Sequence, residues 1–174
     1  MKKKTLFWVK KLTVFAVALL FFYACEDHDD DIDNNIYSAL TRTTWIDTVS
    51  VSQDGGYYVN QLTFNDDETF TAKFSTFGIY PAQSKNELSG WLVYTGNYTV
   101  SNDSLYFTAN EVTSWDSFFN KDPETVHEPQ LIFENCTFKL NDGLLRLSYT
   151  IYPADAPEIT VRQYQSLDDY ISDY

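Results

Sequence analysis

The feature that most constrains this chain is a hydrophobic period of two, renewed between turn signals from Tyr37 onward. Leu62 and Phe64 alternate with Gln61 and Thr63, and Phe70, Ala72 and Phe74 alternate with Thr69, Thr71, Lys73 and Ser75. Tyr94, Gly96, Tyr98 and Val100 repeat the pattern, as do Leu145, Leu147, Tyr149 and Ile151. One apolar face and one Thr-rich face per segment is what a half-buried antiparallel sheet requires. Asp54-Gly55-Gly56, Asn65-Asp66-Asp67, Asn102-Asp103 and Asn141-Asp142-Gly143 separate the segments with residues that tolerate positive φ or form Asx-turns. No segment shows a long helical period.

The pattern predicts eight strands, at residues 42–52, 57–64, 69–77, 91–100, 104–110, 130–140, 143–152 and 159–165. In the sixth, Leu131 and Phe133 share one phase while Cys136, Phe138 and Leu140 share the other. A one-residue bulge near Asn135 would turn all five inward. Two connections are long, Gly78–Gly90 and Glu111–Gln130, and the second is expected to hold a short helix or to cap one end. Strands joined mostly by tight hairpins close most simply into an up-and-down barrel, which removes exposed edges. An eight-stranded barrel either fills its interior with side chains or holds one small ligand. The many inward aromatics argue for a mostly filled interior, with local room beside Gly96.

The N-terminal region is built differently. Met1-Lys2-Lys3-Lys4 and Lys10-Lys11 precede Leu12–Ala24, an uncharged apolar run. At about 1.5 Å per residue that run makes roughly 20 Å of helix, short of a ~30 Å hydrocarbon core, so it reads as a signal peptide and not as a membrane anchor. Phe22-Tyr23-Ala24-Cys25 resembles the lipobox of bacterial lipoproteins, with Phe22 in place of the usual leucine. The resemblance implies that Cys25 is lipidated and becomes the mature N-terminus, held on a membrane by acyl chains worth about 0.8 kcal/mol per buried methylene. Cys136 is then left without a disulfide partner.

Directly behind Cys25, the segment Glu26–Asp33 has six acids in eight residues, which self-repel and extend as a tether. A solvated spacer accounts for it; the run also resembles the export signal that sends some Gram-negative lipoproteins to the cell surface. All 25 acidic residues, but only seven of the twelve basic ones, lie from Cys25 onward, a formal charge of −18 for that part. Such a body repels phosphate backbones and makes nucleic acid an unfit partner. The organisation expected is residues 1–24 signal peptide, 25–36 acidic tether and 37–174 barrel domain.

Four stretches of the body are similar to the lipocalin-like domains of bacterial surface lipoproteins. Thr43-Thr44-Trp45 stands where lipocalins carry Gly-x-Trp at the barrel base, with Thr43 replacing the glycine. Leu62-Thr63-Phe64 followed by Asp66-Asp67-Glu68-Thr69-Phe70, then Tyr94-Thr95-Gly96-Asn97-Tyr98-Thr99-Val100, then Asn102-Asp103-Ser104-Leu105-Tyr106-Phe107 resemble successive hairpins of that family. The resemblance spans about residues 38–165 and implies the eight-stranded all-β barrel and the carriage of a small apolar ligand. Phe74, Tyr94 and Tyr98 are the inward aromatics expected to line such a site.

Catalytic chemistry finds little support. His28 lies on the tether and His127 in a Pro-flanked loop, so neither a metal site nor a cofactor site is expected. Cys136 alternates with Phe138 and Leu140, which marks a small buried residue and not a nucleophile. There is no Gly-x-Ser-x-Gly elbow and no phosphate-cradling loop. Asp66, Asp67 and Glu68 belong to a turn, and Glu134 sits at the expected bulge. Trp91, Trp115 and Tyr80 lie in or beside the long connections, where they either plug one barrel end or grip a sugar or a partner. Asp47-Thr48-Val49 and Asp103-Ser104-Leu105 resemble O-glycosylation acceptors of some anaerobic Gram-negative bacteria. The expectation is a non-catalytic lipoprotein of the outer membrane, facing the cell surface, that binds a small apolar ligand. The alternative is an accessory module that docks onto a larger outer-membrane or secreted assembly.

Overall fold

The computed structural model describes residues 38–41, 43–50, 56–79, 84–119, 121–153 and 156–168. The signal peptide, Cys25, the acidic tether and Tyr80 lie outside the described residues. Nine strands follow in order: β1 (Thr44–Ser50), β2 (Tyr57–Phe64), β3 (Thr69–Phe77), β4 (Leu88–Ser101), β5 (Ser104–Asp116), β6 (Glu124–Val126), β7 (Gln130–Asn141), β8 (Leu144–Ile151) and β9 (Glu158–Ser166). The sheet order β4-β3-β2-β1-β9-β8-β7-β5-β6 closes through an additional β4–β5 pairing. The eight longer strands therefore form a closed antiparallel barrel, as the succession of hairpins predicts.

β6 and β7 lie along the same strand. β6 pairs with Val112–Ser114 and β7 with the earlier part of β5, so the two make one wall interrupted at residues 127–129. Pro129 has no N–H to give to the ladder, which accounts for the break. His127 Nδ1 lies 3.2 Å from Glu111 Oε2 there.

Glu111–Gln130, expected as a connection, is thus partly sheet, because β5 runs on to Asp116. The signal was hidden by a phase change. Gly96 pairs with Ala109 but Thr95 pairs with Glu111, leaving Asn110 as an extra residue and shifting the inward set to Val112 and Ser114. Gly96 marks the same irregularity. A Cβ there would lie 2.0 Å from the Thr108 carbonyl oxygen, so the room expected on its inner face is taken by the neighbouring backbone.

The bulge expected near Asn135 is present, with Phe133 at φ 51° and Asn135 at φ 53°. It spans more than one residue, since the register shifts against both β5 and β8. Ile132 and Phe133 consequently both pack against the core, and Leu131 is 67% exposed instead of inward.

The core fills one end of the barrel. Leu40, Trp45, Leu62, Phe64, Phe70, Tyr98, Leu105, Phe107, Leu145, Leu147 and Tyr164 are almost fully buried there. The Trp45 indole donates to the Leu40 carbonyl at 3.1 Å, tying a helical turn at 38–40 across the barrel base. Tight connections cap this end. Asp142 and Gly143 both have positive φ, as a two-residue type I′ hairpin demands. In the β2–β3 turn, Thr69 donates its amide to Asp67 Oδ1 at 3.2 Å, and Tyr98 donates its phenol to the Asn65 carbonyl at 3.3 Å.

Candidate functional site

Successive inward residues change character along each strand. On β3, Phe70 and Ala72 belong to the packed end, Phe74 to a middle layer and Thr76 to the open end. Phe74, Tyr94, Phe133 and Tyr149 form the middle layer. The Phe133 ring lies 4.8 Å from Tyr149, 5.2 Å from Phe107 and 6.1 Å from Phe74, and Tyr94 stands edge-on to Phe74 at 6.0 Å. Holding a bulky residue at positive φ costs on the order of 1–3 kcal/mol. Here it brings one ring into contact with aromatic residues of β3, β5 and β8.

Beyond Phe74 a cavity of about 820 Å³ opens at the end that carries the long connections. This lies within the range of small-molecule sites. Phe74 and Leu92 supply an apolar wall on β3 and β4, and Asn60 and Arg162 a polar one on β2 and β9. Ser114, Asp116 and Glu124 stand on the β5–β6 side, and Phe119, Lys121 and Asp122 reach in from the β5–β6 connection. Trp91 and Trp115, paired in register across β4 and β5, both border the space and leave it open.

The polar wall is organised around one carboxylate. Asp47 Oδ2 accepts from Asn60 Nδ2 at 3.2 Å and lies 3.6 Å from Arg162 Nη1. The ion pair bridges β1 and β9, whose ladder pairs only Trp45 with Ser166 and Ile46 with Gln165. Asp47 is more enclosed than Arg162, with side-chain exposures of 15% and 36%. The positive charge of Arg162 acts on the nearby Tyr149 phenol, whose pKa burial nonetheless raises above its ordinary value. Burial likewise raises Tyr94 and Tyr164.

The three expected lining aromatics separate. Phe74 borders the cavity, Tyr94 packs behind it in the middle layer, and Tyr98 lies in the closed end at 1% exposure, against Phe64 at 4.9 Å. The Asp47–Asn60–Arg162 group was not singled out in the sequence. Its signal was there, since Asp47 shares the phase of Trp45 and Arg162 that of Tyr164, and charge on an inward phase marks an interior polar group.

Elsewhere, Glu134 Oε2 accepts the Tyr152 phenol at 2.7 Å in an exposed pair at the bulge. Cys136 is free and buried, its thiol pushed up to about 12 by desolvation. Among the described residues no group of three or more His, Cys, Asp or Glu is placed to hold a metal ion. No described helix is long and apolar enough to cross a membrane. Comparison with protein-family models, curated proteins and solved structures finds no match to this chain.

Proposed function

We propose that the protein is a non-catalytic lipoprotein, anchored through acyl chains on Cys25 to the outer membrane of a Gram-negative cell and facing the surface. Its lipocalin-like barrel holds a small molecule in the open-end cavity. The observation that supports this reading is the division of one barrel interior into a sealed half and an open half of about 820 Å³. A barrel built only as a scaffold gains stability by filling that space, at about 25 cal/mol per Å² of apolar surface buried. The apolar part of the ligand rests on Phe74 and Leu92. Native mass spectrometry of the protein purified from its own host tests the reading. An extra mass that disappears on unfolding is expected, and a bare mass carrying only acyl chains would sink it.

A second reading, docking onto a larger assembly, is favoured by Phe118 and Phe119. Their rings meet edge-to-face at 5.3 Å and are 58% and 63% exposed, and Phe119 borders the cavity. Aromatic pairs held in water are characteristic anchors of protein interfaces. Replacing both with serine should release a co-purifying partner if docking is the function; unchanged co-purification would remove this reading.

A further inference from the structure

We propose that the ligand of the open-end cavity is an uncharged carbohydrate, its ring face laid on aromatic side chains and its hydroxyls met by the Arg162–Asp47–Asn60 group. The inference rests on the cavity-binding reading above and names its ligand class. Arg162 is already matched by Asp47 at 3.6 Å, and Lys121 stands with Asp116, Asp122 and Glu124 around the same space, so the cavity offers no net positive charge to an anionic head group. The acidic body adds a field that repels anions. The wall nevertheless presents donors and acceptors side by side. A guanidinium has five N–H donors, and one carboxylate does not exhaust them. Asn60 gives an amide N–H to Asp47 and keeps its carbonyl oxygen as an acceptor.

A hydroxyl both gives and receives, so adjacent donors and acceptors suit a polyol. Beside Asn60, its register partner Phe74 offers an aromatic surface, and Tyr58, on the same phase of β2 as Asn60, also borders the cavity. Sugar rings combine an apolar C–H face with hydroxyl edges, which matches a cavity that sets an aromatic ring next to a group of paired donors and acceptors. A purely apolar molecule fits less well. It would strip water from Asn60 and Arg162 without replacing their hydrogen bonds.

The test uses the full chain in phospholipid nanodiscs. An array of neutral oligosaccharides is screened first, and each hit is titrated by calorimetry alongside hexadecanoate and dodecyltrimethylammonium, with empty nanodiscs subtracted. Saturable binding of at least one neutral glycan is expected. Affinity should fall about tenfold in Phe74→Leu and in Arg162→Gln, the loss that accompanies removal of a packing surface or a charged donor. Tyr106→Ser, on the exposed outer wall, should leave it unchanged. Because Arg162→Gln strands the Asp47 carboxylate, the charge-balanced Asp47→Asn/Arg162→Gln variant, checked for folding by circular dichroism, must show the same loss. Glycan binding insensitive to all three variants would overturn the site. Binding of hexadecanoate or the ammonium probe with no glycan would overturn the carbohydrate assignment and leave the small-molecule reading standing. No binding by any probe together with a bare native mass would remove both.

Discussion

At the closed end of the barrel the connections between β2 and β3, β4 and β5, and β7 and β8 are two to four residues long, whereas at the open end they span six to ten. The same strands serve both ends, yet their inward side chains pack solidly at one and leave a polar-walled cavity at the other. Close packing and open space are thereby separated along one axis. Trp45, Tyr98 and Tyr164 are buried where hairpins fix the register, and Asn60, Phe74 and Arg162 border the cavity where the loops lengthen.

The largest break in that comparison should come from Trp45→Ala. It removes a buried indole and its bond to Leu40, and should destabilise the fold by about 3–5 kcal/mol in urea unfolding. A loss below that of an exposed substitution would mean that the base is not where stability resides. Gly96→Ala comes next. A Cβ 2.0 Å from the Thr108 oxygen forces the β4–β5 ladder apart, with an expected cost of about 1–3 kcal/mol by the same measurement.

The closed end should also be the alkali-sensitive end. Cys136 has a folded pKa near 12 against 9.0 for the unfolded thiol, so the folded state holds its proton more tightly. Its contribution is fully present below pH 9 and is lost progressively between pH 9 and 12, a slope that Cys136→Ala should reduce. The thiol should also resist iodoacetamide at pH 8 until the protein unfolds. Trp115→Ala, at the open end, should change stability by only about 0.5 kcal/mol while altering ligand retention, which sharpens the contrast with Trp45.

The smallest expected effect concerns Asp67. The Thr69 hydroxyl and amide lower its pKa below 3.8, so the stability it adds is present above that value and is lost as pH falls through the folded pKa. Thr69→Val removes the hydroxyl and keeps the amide, so the Asp67 carboxyl should move only part of the way back toward its ordinary range in an NMR titration.

Much of the fold was legible because the period of two is a local property. β2 and β3 occupy the predicted residues, 57–64 and 69–77, and the turns at Asn65, Asn102 and Asp142 lie where left-handed or Asx geometry was expected. Legibility failed where the phase slips. Asn110 concealed the outer half of β5, and Phe133 and Asn135 turned Leu131 outward, because bulges reset which residues face the core without leaving a compositional trace. The candidate site was legible only at Phe74. Tyr94 and Tyr98 share its inward character but stand at other heights in the barrel, and height depends on strand register across the whole sheet.

The sequence by itself determined the number of long strands, their hairpins and the apolar face of each, since all of these follow from neighbours a few residues apart. The tertiary structure alone decided that the interior is half sealed and half open. Phe74 meets Phe133, and Asp47 meets Arg162, only when the sheet closes on itself, and closure brings together residues from opposite ends of the domain. Alternation states which side of the sheet a residue faces; only the closed ladder states what it faces.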